Sequence, residues 1–130
     1  MKKLRAFSAA LASSMLFAAA SFADNAPTAN KWRIEIDGQP TKSGDIVFLV
    51  TPRQGDSTKV RVNVKSGRAE NNVAKDVRDA LAAELSPERY SIEVDDGEDV
   101  LIKKKDGQPD FALELVKSEV QNVSIKIEGE

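Results

Sequence analysis

The 130-residue chain contains no cysteine and no histidine. Those two absences remove Ser-His-Asp and Cys-His catalysis and the usual zinc and copper ligand sets. They also exclude a disulfide framework, so any fold must be held by its core alone. Aromatic residues are scarce: five phenylalanines, one tryptophan and one tyrosine. No GxSxG elbow and no glycine loop suited to cradling a phosphate occurs.

What is present begins with an export signal. Lys2, Lys3 and Arg5 form a positive start, residues 6–20 are mostly apolar, and Ser21-Phe22-Ala23 supplies the small residues of a cleavage site. This layout predicts a secretory signal peptide over 1–23, cleaved near Ala23, and a periplasmic or secreted product. The apolar run falls short of the about 20 residues a membrane span needs, so no stable membrane insertion is expected. Nor is there a cysteine to carry a lipoprotein anchor. Removing the leader takes away three of the 19 Lys and Arg and none of the 21 Asp and Glu, leaving a net charge of −5. A negative surface argues against binding nucleic acid or anionic lipid.

The mature chain is long enough for one domain with its own core. Residues 24–30, DNAPTAN, read as a flexible leader, and 31–130 as a single domain. Across 31–37, Trp32, Ile34 and Ile36 alternate with charged residues, the pattern of a half-buried strand. Pro40 and two glycines make 38–44 a loop. The continuous apolar run Ile46-Val47-Phe48-Leu49-Val50 is either a central strand or an edge that meets a partner. Val60, Val62 and Val64 mark a further alternating strand.

Residues 71–85 are the one strong helix. Val73, Val77, Ala80, Leu81 and Leu85 share one stripe, Asn71 or Asn72 is suited to cap the start, and Ser86-Pro87 ends it. Past the helix, a turn centred on Gly97 pairs Val94 with Val100 and Ile92 with Ile102. A second, at Asp106-Gly107, pairs Ile102 with Phe111 and Val100 with Leu113. Both registers place all six side chains on one face. Val123, Ile125 and Ile127 alternate in a last strand. The expected fold is α+β: six or seven mostly antiparallel strands with the amphipathic helix packed on one face. The tetrapeptide DGQP occurs at 37–40 and again at 106–109, which reads as two turns using the same favoured residues.

The order strand, helix, hairpin, strand over 59–116, with VRVNVKSGRAENNVAKDVRDALAAEL followed by YSIEVDDGEDVLIKKKDGQPDFALEL, resembles a known module. Similar β-α-β-β units occur in flagellin-type, flagellar cap and hook-associated proteins, in phage virion proteins and in bacterial surface proteins. The shared features are a valine-rich strand ending near a glycine (Ser66-Gly67), a short polar cap and a helix of the VAxxVxxAL type. The Ile-Asn pair such modules carry near the helix end is replaced here by residues 82–85. The resemblance implies an extracellular structural or binding role and transfers no catalytic residue.

Three chemistries remain to be weighed. Serines and lysines are present without a recognised Ser–Lys spacing, and a carboxylate pair for glycoside cleavage would need a cleft. The third is calcium. Asp95, Asp96, Glu98 and Asp99 cluster in the acidic turn, and calcium favours grouped oxygens, yet the spacing is not that of an EF-hand. Turns also prefer Asp and Gly for backbone reasons, so a solvated turn, paired with Lys103 or Lys104 across the hairpin, is the plainer expectation. Trp32 shares the face of Ile34 and Ile36 and is expected in the core. The sequence therefore predicts a non-enzymatic exported domain with no required cofactor. It would bind another protein, or itself, through a sheet edge at Ile46, Phe48 and Val50 or through the last strand. Alternatives are an inhibitor or chaperone of an exported enzyme or fibre subunit, or a small hydrolase with an unrecognised site.

Overall fold

The computed structural model describes residues 26–130, so the expected signal peptide lies outside the described residues. The elements run β1 (Lys31–Lys42), β2 (Gly44–Pro52), β3 (Thr58–Val64), α1 (Glu70–Glu84), β4 (Tyr90–Asp95), β5 (Asp99–Lys104), β6 (Phe111–Ser118) and β7 (Gln121–Gly129). The fold is α+β, with every strand pairing antiparallel. Instead of one sheet there are two: four strands in the order β4-β5-β1-β7, and three in the order β3-β2-β6.

The β4–β5 hairpin has the register the turn residues predict, Val94 opposite Val100 and Ile92 opposite Ile102. Asp96 and Gly97 take φ of 55° and 81°, conformations that Asp tolerates and Gly adopts freely. The second expected pairing does not form. β1 occupies the free edge of β5, with Trp32 opposite Ile102 and Ile34 opposite Val100. A turn at Asp106-Gly107 is present, closed by the Gln108 N–H donating to the Lys105 carbonyl at 3.0 Å, but it carries the chain across to the other sheet. There Leu113 lies opposite Val50 and Phe111 opposite Pro52. Val100, Ile102, Phe111 and Leu113 are all buried nonetheless, because alternation sets which way a side chain points and not which sheet holds it.

β1 is longer than its alternation suggests. It runs through Gly38 to Lys42 and pairs with β7 along its length, with an irregularity after Gly38. Gly38 has φ 109°, and its N–H donates to the Glu70 carboxylate at 2.8 Å. The first DGQP is thus a strand irregularity and only the second is a turn. Residues 28–30 of the expected leader are tied down too. Ala29 and Phe111 exchange backbone hydrogen bonds of 2.9 and 3.0 Å, and the Asn30 carbonyl accepts from Lys104 N–H at 3.0 Å.

The helix begins one residue earlier than expected, at Glu70, and its N-cap is Ala69 with no side-chain cap. Asn71 and Asn72 fall inside the first turn, where neither caps. Leu85 is already extended at φ −98° and ψ 145°, as its place before Ser86-Pro87 leads one to expect. Arg68 clasps Asp76 through hydrogen bonds of 2.8 and 3.1 Å, anchoring the first turns. Val73, Ala74, Val77 and Leu81 are buried. The helix packs against β3 of one sheet and β4, β1 and β5 of the other. It therefore seals the side where β3 and β4 are the outermost strands, and does not lie on one face of a single sheet.

Candidate functional site

Ile46, Phe48 and Val50 are fully buried on β2, the central strand of the three-stranded sheet. β3 pairs with one edge of β2 and β6 with the other, so no free edge remains for a partner there. The expected edge contact at these residues is corrected: the run is apolar because it is core. Trp32 is core as well, its Nε1 donating to the Phe111 carbonyl at 2.8 Å.

Two carboxylates of the acidic turn, Asp95 and Asp99, converge on a guanidinium. Arg33 on β1 supplies it, its Nη1 donating to Asp99 at 2.8 Å and to Asp95 at 3.1 Å, while its Nε donates to Glu130 at 2.8 Å. Arg33, led by its bond to Glu130, is held more firmly protonated, and the Glu130 carboxyl is correspondingly lowered. Asp96 is at the exposed tip of the turn, and Glu98 turns toward Glu70. Among the described residues no group of three His, Cys, Asp or Glu side chains is placed to hold a metal ion. Asp95, Asp96, Glu98 and Asp99 are thus not brought together as a calcium site. Nor do the lysines pair with this turn. Lys103 and Lys104 lie opposite Ser91 and Tyr90, a hairpin's length away, and Lys104 bonds Asp110 at 3.2 Å instead.

Glu98 sits among like charges. Glu70 first, then burial, Asp99 and Asp37 push its pKa above 4.5. A carboxyl raised in the folded state opposes folding once ionised, so the penalty is absent at low pH and grows as pH rises through the folded value. Glu98→Gln is therefore expected to raise the melting temperature at pH 7 and to leave it unchanged near pH 3. Thermal melts of both proteins at the two pH values check this.

The open edges lie elsewhere, and the sequence singled out only one of them. β7 is the last strand of the four-stranded sheet and β6 of the three-stranded one. Val123, Ile125 and Ile127 on β7 are only partly buried. On β6, Leu115 is 37% and Val116 53% exposed, the large hydrophobic side chains most open to solvent among the described residues. β6 is irregular here: Leu115 opposes Phe48 and Lys117 opposes the preceding Val47, which leaves Val116 as an extra, unpaired residue. Beside it, Glu114 Oε1 is buried without a hydrogen-bond partner, and desolvation raises the carboxyl's pKa. Buried oxygens of this kind are rare in folded proteins. Alternation does not reveal this site, because Phe111 to Val116 reads as an ordinary apolar strand and the irregularity depends on how β2 pairs with it.

Among the described residues no helix is long and apolar enough to cross a membrane. Comparison of the chain with protein-family models, with curated proteins and with solved structures finds no match to any of them.

Proposed function

We propose that this is an exported, non-enzymatic binding domain that acts by sheet extension along β6, pairing with β6 of a second copy. The observation that carries the reading is the state of the β6 edge beyond Phe111, whose backbone pairs with Ala29: no further strand beside it, exposed Leu115 and Val116, and the orphaned oxygen of Glu114 on one strand. Exposed strand edges are templates for pairing, and an orphaned acceptor is satisfied when a donor arrives.

The edge is also self-complementary. The irregularity sets Glu114 and Lys117 on the same face of the sheet, since they oppose Leu49 and Val47. An antiparallel two-fold pairing centred between Leu115 and Val116 then places each Glu114 opposite the other copy's Lys117. It also covers Leu115 with Val116. The resemblance of 59–116 to modules of assembling surface proteins points the same way.

Light scattering across a concentration series tests this. The mass should rise toward twice the monomer value, and Val116→Lys should hold it at the monomer while leaving the circular dichroism spectrum unchanged. Glu114→Lys or Lys117→Glu alone should weaken association, and the double exchange should restore it. A monomer mass at every concentration, or association untouched by Val116→Lys, overturns the reading.

A further inference from the structure

α1 seals the side of the two sheets where β3 and β4 are outermost, and on the opposite side β6 and β7 are the last strands. Leu115 opposes Phe48 and Ile125 opposes Ile36. Both Phe48 and Ile36 are buried, so Leu115 and Ile125 point into the gap between the sheets. Val123 and Ile127 share the face of Ile125 and are likewise only partly buried. No element among the described residues covers this apolar gap, and its rim is two free strands, one from each sheet.

The side chains of β7 select one pairing with a second β7. When a regular strand pairs antiparallel with its own copy about a two-fold axis, the centre falls on a residue and opposite side chains share a face. Centred on Ile125, the pairing sets Ile125 against its mate, Val123 against Ile127 and Ser124 against Lys126. Each inward apolar side chain then meets another, and no like charges are opposed. Centring on Lys126 sets ammonium against ammonium, and centring on Ser124 sets Ile127 against Gln121.

The β6 edge fixes the same centre independently. Ala29 exchanges backbone hydrogen bonds with Phe111 and lies against Gly129, which brings the start of β6 beside the end of β7. At the other end only Glu119 and Val120 separate Ser118 from Gln121. The two edge strands therefore run alongside each other in opposite directions. Leu115 and Val116 lie four and five residues in from Phe111, and Ile125 and Ser124 lie four and five in from Gly129. A two-fold axis between Leu115 and Val116 thus passes β7 at Ser124–Ile125, where the side-chain pattern of β7 puts its own centre.

We propose that β7 pairs with β7 of the second copy about the same two-fold axis as β6, so that the dimer extends both sheets and closes the apolar gap between them. This rests on the β6 reading and adds a second layer to it. The occupant is a second copy because the axis that matches β6 to itself also matches β7 to itself. Any other partner would have to match two edges at once.

Because the chain has no cysteine, single introduced thiols can be used to trap the pairing. Ile125→Cys places two thiols directly opposite, at the about 4.5–5.5 Å Cα separation of paired strands and within disulfide reach. Ile127→Cys holds them about 13 Å apart along the strand, out of reach. With oxidised glutathione, at concentrations where light scattering gives the dimer mass, Ile125→Cys should link about tenfold faster than Ile127→Cys. Adding Val116→Lys should abolish the difference. Both positions are partly exposed, and each variant should keep the circular dichroism spectrum of the parent. Hydrogen exchange gives a second readout with β7 unaltered: amides of 123–127 should exchange more slowly in the dimer than in Val116→Lys. A dimer dissolved by Val116→Lys that shows equal trapping at 125 and 127, or no added protection of β7, overturns this inference and leaves the β6 reading standing. Trapping that survives Val116→Lys overturns the shared axis. A monomer mass at every concentration ends both.

Discussion

Phe48→Ala is expected to destabilise the domain by about 3–5 kcal/mol, the range for deleting a buried phenylalanine. Phe48 is fully buried and sits opposite Val60 on one side and Leu115 on the other. Truncation leaves a void between the two sheets that neither neighbouring strand fills without losing its own register. A domain of this size has a total stability of about 5–15 kcal/mol, so the loss is a large share of it. Urea unfolding followed by tryptophan fluorescence measures it directly, since Trp32 is the sole tryptophan and is buried in the same core. The midpoint should fall with little change of slope. Phe48→Lys should prevent folding altogether, because an unpaired ammonium there has no water and no counter-charge. A folded Phe48→Lys protein would mean that β2 is an edge after all, and the present sheet order would be wrong.

Gly38→Ala is expected to be nearly as damaging, for a reason of backbone geometry. With φ of 109°, Gly38 lies where L residues pay about 1–3 kcal/mol in strain. A Cβ at this position would also collide with the Asn122 carbonyl oxygen on β7. Relief requires β1 and β7 to part, so the loss should exceed strain alone. Gly107→Ala supplies the control. Its φ is 86°, but nothing lies within 4 Å of the Cβ it would gain, so it should lose only the about 1–2 kcal/mol of a left-handed residue. Urea unfolding of the two variants gives the difference, and hydrogen exchange should show faster opening of β7 amides in Gly38→Ala only. Equal losses would mean that β1 and β7 are not closely paired at Gly38.

These two sites show where sequence and structure part. The two DGQP segments are identical in sequence and differ in role: one is an irregularity inside β1, the other a turn between sheets. Local residues favour positive φ at glycine in both places. What the chain does next is set by its partners, β7 alongside the first and Phe111 drawn to Val50 and Pro52 by the second. The helix cap has a similar history. Two asparagines were available, but Glu70 starts the helix and turns its carboxylate to the Gly38 N–H. The placement of the acidic turn's carboxylates has a long-range cause as well. Arg33 is 62 residues before Asp95 in the chain, and only the β1–β5 pairing brings them together.

By itself the sequence determined the α+β class, the helix and its buried stripe, the β4–β5 register and nearly every inward-facing side chain. Each of these depends on period, turn residues or alternation within a few positions of the chain. Only the tertiary structure decided that the strands divide into two sheets, that Ile46, Phe48 and Val50 lie at the centre of one, and that β6 is left as an edge. Strand pairing is a competition among distant segments of similar apolar pattern. Its outcome depends on which partners bury the most surface together, a property no single segment carries.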